Sequence, residues 1–202
     1  MSRIDAANLP WSDLPPSFRV DLLQLLSASR PAIRSHVGDA AREKLQAWCV
    51  TTGLDFAAEC AWVSLSTEVG RAARVLHVDA SPEPHEVDLG LLLGYPLCCC
   101  QQAALVGESQ IDQYARYVAA RPLIDEYAML DISRYHEGLA LISHVPCLPD
   151  CEPSRLLAQR SVDWLTGQPC APEPYLSWRL ALSLARVDPQ RLGTSTRPRT
   201  GA

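Results

Sequence analysis

Apolar positions along the chain recur with two periods, and these divide it into elements. From Ser17, the residues Phe18, Val20, Leu22, Leu23, Leu25 and Leu26 follow a Ser cap at helical spacing and predict a helix that closes before Pro31. Residues 39–53 repeat the pattern with Leu45, Trp48 and Cys49, and Gly53 suits a C-terminal cap. CAWVSL at 60–65 and ARVLHV at 73–78 are short, rich in Val, Leu and Trp, and separated by a Gly-containing turn, which predicts a hairpin. Residues 87–93 read as a short apolar helix stopped by Gly94 and Pro96. Pro96 suits the first position of a new helix, with Cys98, Cys99 and Cys100 in its opening turn. A further helix is expected at 108–120, ended by Arg121-Pro122. LALISHV at 139–145 is apolar enough for a buried strand and short enough for a helix end. Pro153 opens an amphipathic helix through Trp164 that Gly167 terminates, and 175–187 forms the last helix. The pattern predicts a mainly helical α+β single domain over residues 1–187 with a small β-sheet or hairpin, and a disordered tail at 188–202.

Composition agrees with a globular chain: 48% of the 202 residues are apolar and 20% charged. Eighteen basic against 23 acidic residues leave a net charge of -5, which offers no footprint for a polyanion, so general nucleic-acid binding is not expected. No apolar run approaches ~18 residues, and the N-terminus lacks the apolar stretch of a secretion signal. A cytoplasmic location is therefore expected, with no membrane partner, and the eight cysteines are expected to be reduced thiols.

Five of those cysteines fall in two clusters, GYPLCCC at 94–100 and SHVPCLPDC at 143–151. Successive residues on a helix point about 100° apart, so at most two of Cys98, Cys99 and Cys100 can face one site. His144, Cys147 and Cys151 have the short spacings of metal ligands, and thiolate with imidazole suits zinc, iron or an iron-sulfur cluster. Both clusters stand at expected helix starts, where unpaired N–H groups and the dipole favour thiolate. Cys98, Cys99, His144, Cys147 and Cys151 are the candidate ligands of a metalloenzyme or maturation factor whose substrate the sequence does not identify. Two other readings stand beside it: thiol or persulfide chemistry without metal, and a non-catalytic binding module whose cysteines are packing residues.

The remaining candidates are weaker. Cys49 and Cys60 sit in apolar patterns and are read as core, and Cys170 as a surface-loop thiol. His77 is read as a structural strand residue and His136 as a general base, a ligand or a half-exposed helix residue, while His36 and His85 fall in loops. Ser154 is read as a helix cap. Walker A, G-x-G-x-x-G, H-E-x-x-H and G-x-S-x-G motifs are absent.

At these motifs the chain resembles a family catalogued as domain of unknown function 483, mostly known from archaeal sequences. The resemblance rests on Gly94, Tyr95, Pro96, Cys98 and Cys99, then His144, Pro146, Cys147, Cys151 and Ser154, and runs from about residue 87 to 167. Cys100 extends the family's cysteine pair to three, and Leu148 stands where a small polar residue is expected. The resemblance implies the same site residues and no particular activity.

Overall fold

A helix with almost no exposed face organises the fold. In α1 (Pro16–Leu26) residues 18 and 20–26 are all buried, including the polar Asp21 and Gln24, so it is a central helix rather than a one-sided amphipathic one. The structure, a computed structural model, describes residues 9, 11–119, 132–138 and 140–167. The helix expected at 175–187, the tail at 188–202 and Cys170 lie outside those residues.

The described residues form a mainly helical α+β domain with one small antiparallel sheet. Its strands are β1 (Ala32–His36), β2 (Asp55–Glu59) and β3 (Trp62–Ser66), in the order β1-β3-β2, with α2 (Asp39–Thr52) between β1 and β2. Register puts Ile33, Leu65 and Phe56 side by side on one face, which joins α1 and α2 in the main core with Leu22, Leu45 and Trp48. The opposite face presents Ala32, Ser64 and Ser66, small side chains that let α3 (Arg71–Asp79) lie close.

The expected hairpin keeps its first arm, which supplies β3, and is corrected in its second. Residues 73–78 are not a strand but part of α3, where Ala72, Val75 and Leu76 are buried at i, i+3, i+4 spacing. Asp55 on β2 satisfies the start of α3, its Oδ2 accepting from the Ala72 N–H at 2.8 Å. The true hairpin joins β2 to β3 through Cys60-Ala61, a two-residue turn that needs a left-handed residue, and Cys60 takes φ 52°. Cys60 is therefore exposed rather than core, whereas Cys49 is buried as expected. His77 lies in the last turn of α3.

The second half builds the site. After α4 (Glu86–Leu92) the chain turns through Gly94, at φ 80°, where a Cβ would stand 2.4 Å from Pro31 Cδ. Then follow α5 (Leu97–Val106), α6 (Glu108–Ala119) and α7 (Glu152–Gly167). Pro96 caps α5 rather than occupying its first turn, and α7 begins at Glu152, one residue before Pro153. Residues 140–151 are neither strand nor helix. Side chains partner this irregular backbone: Gln24 Nε2 donates to the Leu141 carbonyl at 2.9 Å, Tyr95 to that of Ser143 at 3.1 Å, and Tyr114 to that of Cys147. No helix among the described residues is long and apolar enough to cross a membrane.

Candidate metal centre

The start of α5 and the turn before α7 bring four cysteines together. The Sγ atoms of Cys98, Cys99, Cys147 and Cys151 all lie within 4.8 Å of one another. Cys98 to Cys99 is 3.9 Å, Cys98 to Cys151 is 3.8 Å and Cys99 to Cys151 is 3.6 Å. Such a set can hold a metal ion. Helical geometry explains why the third adjacent cysteine is excluded. Cys100 turns toward α4, its Sγ 3.8 Å from the Tyr95 carbonyl, filling the space that a side chain at Gly90 would need.

Hydrogen-bond donors are aimed at the sulfurs. The Cys147 N–H donates to Cys99 Sγ at 3.3 Å, and the Ser154 hydroxyl lies 3.3 Å from both Cys99 Sγ and Cys151 Sγ. Ser154, in the first turn of α7, is not the backbone cap expected: its hydroxyl partners are the two sulfurs and His144 Nε2, which stands 2.8 Å away. His144 is not among the four converging residues; it stands one hydrogen bond behind them, buried, its ring 4.9 Å from that of Tyr95. Its Nδ1 is buried without a partner among the described residues.

Thiol acidity does not follow helix-start placement alone. Burial pushes Cys99 up despite the Ser154 hydroxyl and the Cys147 N–H, and burial, with the neighbouring Cys151 and Cys98 thiols, pushes Cys147 up to about 12. At Cys151 burial also acts upward, but the Ser154 hydroxyl and N–H, with Cys99 and Cys147, outweigh it and hold the thiol below its ordinary value. Burial first, then the Arg30 charge, pulls His144 down to about 3, so its ring is neutral.

A buried polar network fixes this geometry from below. Arg30, 1% exposed, donates from Nε to the Leu93 carbonyl at 2.8 Å and from Nη1 to Asp21 Oδ1 at 3.2 Å, to Gln24 Oε1 at 3.1 Å and to Ser143 Oγ. Its guanidinium also stacks 4.4 Å over Tyr95, and Tyr135 donates to Asp21 Oδ2 at 2.7 Å. One arginine therefore joins α1, the end of α4 and the 140–151 segment that carries His144 and Cys147. Arg30, Asp21, Gln24 and Tyr114 escaped sequence reasoning; the one available sign was that Asp21 and Gln24 interrupt the apolar run from Val20 to Leu26.

A cavity of about 710 Å³ opens beside the centre, bounded by α4, α5, α6 and one face of the sheet. Cys99, Cys100 and His144 form part of its wall, and His36, His85 and the exposed His136 also line it. Compared with models of protein families, with curated proteins and with solved structures, the chain matches none.

Proposed function

We propose that the protein is a metalloprotein holding one zinc or iron ion through Cys98, Cys99, Cys147 and Cys151. The observation that carries this reading is the sulfur spacing. Four thiolates at about 2.3 Å around one tetrahedral ion stand about 3.8 Å apart; the sulfurs of Cys98, Cys99 and Cys151 stand 3.6 to 3.9 Å apart, and that of Cys147 lies within 4.8 Å of each. Thiolates bound to different irons of a cluster stand further apart, so a single ion suits the spacing better than an iron-sulfur cluster. Donation from the Cys147 N–H and the Ser154 hydroxyl offsets the excess negative charge that four thiolates bring to a divalent ion.

Four protein ligands fill the coordination of zinc, which supports an ion that ties α5 to α7 rather than one that activates water. Iron in the same set supplies a one-electron couple. The motifs that resemble domain of unknown function 483 contribute all four ligands, and we extend the reading to that pattern.

Protein purified without chelator is expected to contain about one equivalent of zinc or iron by elemental analysis. Visible absorption separates colourless zinc from coloured iron. Cys147→Ser and Cys151→Ser should each abolish retention, while Cys49→Ser and Cys100→Ala should retain the ion. Equal metal in all four variants, or none in the wild type after anaerobic purification, refutes the reading.

A second reading rests on Cys151. Its lowered thiol with the Cys99 sulfur 3.6 Å away forms a nucleophile beside a resolving thiol. Alkylation of Cys151 at equal rates with and without chelator would favour it over the metal.

A further inference from the structure

We propose that His144 is a positioning residue for the cysteine centre: its Nε2–H holds the Ser154 hydroxyl so that the hydroxyl hydrogen points at the Cys99 and Cys151 thiolates. The proposal rests on the tetrathiolate metal reading above. The Ser154 oxygen has three neighbours, Cys99 Sγ and Cys151 Sγ at 3.3 Å and His144 Nε2 at 2.8 Å, and a hydroxyl has a single hydrogen to give. Ser154 and His144 are both buried, so these neighbours decide its direction. If Nε2 carried the lone pair, the hydrogen would go to the ring and the oxygen would turn its own lone pairs on two thiolates. If Nε2 carries the hydrogen, the oxygen accepts from the ring and donates to sulfur. Once the sulfurs are thiolates, only the second order is attractive at every contact.

The other side of the ring leaves the choice to Ser154. The tautomer of a neutral imidazole is set by the hydrogen bonds of its two nitrogens. His144 Nδ1 has no partner among the described residues, so no carbonyl or carboxylate there holds the hydrogen on Nδ1. Tyr95 packs against the ring at 4.9 Å and donates to the carbonyl of the preceding Ser143, which fixes the ring in place. A histidine spaced like a ligand thus serves the centre without entering its coordination. It spends its hydrogen on Ser154, which frees the hydrogen of Ser154 to disperse thiolate charge. Hydrogen-bond partners of this kind, one step behind the ligands, typically change metal affinity by about 10–100-fold.

The full chain, stripped of metal and reloaded with zinc, tests the relay by spectroscopy and by affinity. Nitrogen-15 NMR of the imidazoles should find the His144 hydrogen on Nε2. Competition for zinc with a chromophoric chelator should show Ser154→Ala and His144→Leu each about tenfold weaker than wild type. The double variant should be about as weak as either alone, because the two side chains act as one chain of hydrogen bonds. His144→Gln, whose amide can bring an N–H to the place of Nε2, should stay close to wild type. The proposal is overturned by a hydrogen on Nδ1 in the zinc-loaded protein, by losses that multiply in the double variant, or by His144→Gln as weak as His144→Leu. The tautomer is read on wild type, so it decides the matter even where a variant fails to fold. Wild type that takes up no zinc instead refutes the tetrathiolate reading, and the relay with it.

Discussion

Replacing Arg30 by Met tests whether the buried network holds the molecule together. Met fills much of the volume of the arginine stem without its charge, so the substitution removes donors more than packing. Asp21 would lose its only ionic partner among the described residues, and the Leu93 carbonyl, Gln24 and Ser143 would each lose a donor. Removing one partner of a buried ion pair costs about 3–5 kcal/mol, because the other charge stays behind. One relief is available. Burial already raises the Asp21 carboxyl, while Arg30 and the Tyr135 hydroxyl act downward, so without Arg30 the carboxyl takes up a proton more readily. The native state then binds more protons than the unfolded chain above the ordinary carboxyl value, and stability falls as pH rises through that window. Urea denaturation followed by tryptophan fluorescence, in constant excess zinc, should show a loss of about 4 kcal/mol at pH 8, shrinking at pH 5. Adding Asp21→Asn to Arg30→Met should recover part of it, since no charge then remains buried. A loss below about 1 kcal/mol, or one equal at both pH values, refutes the account.

Other positions give sharper outcomes. His144 titrates near 6.5 unfolded and about 3 folded, so stability present above pH 6.5 is lost as pH falls toward 3, by at most about 1.4 kcal/mol per pH unit. In chelator, wild type should therefore lose stability faster than His144→Gln between pH 7 and 4; parallel curves would contradict this. Gly90→Ala should destabilise because its Cβ would meet Cys100 Sγ at 2.5 Å, and adding Cys100→Ala should restore part of the loss. Equal stability of the single and double variants would show that Cys100 is not the obstacle. Gly94→Ala combines a left-handed backbone with a 2.4 Å approach to Pro31 and should lower stability by more than about 2 kcal/mol in the same denaturation assay; a smaller loss would mean that the corner yields.

The sequence revealed the cysteines more readily than the scaffold that aims them. Convergence of Cys98, Cys99, Cys147 and Cys151 was legible because clustered thiols at the short spacings of metal ligands have few other uses, and because 100° spacing leaves room for two of three adjacent cysteines. The hairpin was misread because ARVLHV has strand composition while Ala72, Val75 and Leu76 follow a helical period that a six-residue window hides. β1 was missed because AIRSH is two apolar residues followed by three polar ones, with no alternation, and its strand state depends on pairing with β3. His144 was placed among the ligands by spacing alone. Chain spacing cannot tell direct contact with the sulfurs from the position behind Ser154 that the fold imposes.

The wide separation in sequence of the paired cysteines has a kinetic consequence. Cys98 and Cys99 stand about fifty residues before Cys147 and Cys151. In an unfolded chain an ion held by the first pair must recruit the second by closing that loop, an entropic cost of roughly 3.5 kcal/mol from (3/2)RT ln n. Once α1 has formed and Gln24 and Arg30 have anchored Leu141 and Ser143, that closure is already complete. Metal uptake should then follow folding, with a rate that stops rising with metal concentration once formation of the anchored state becomes limiting.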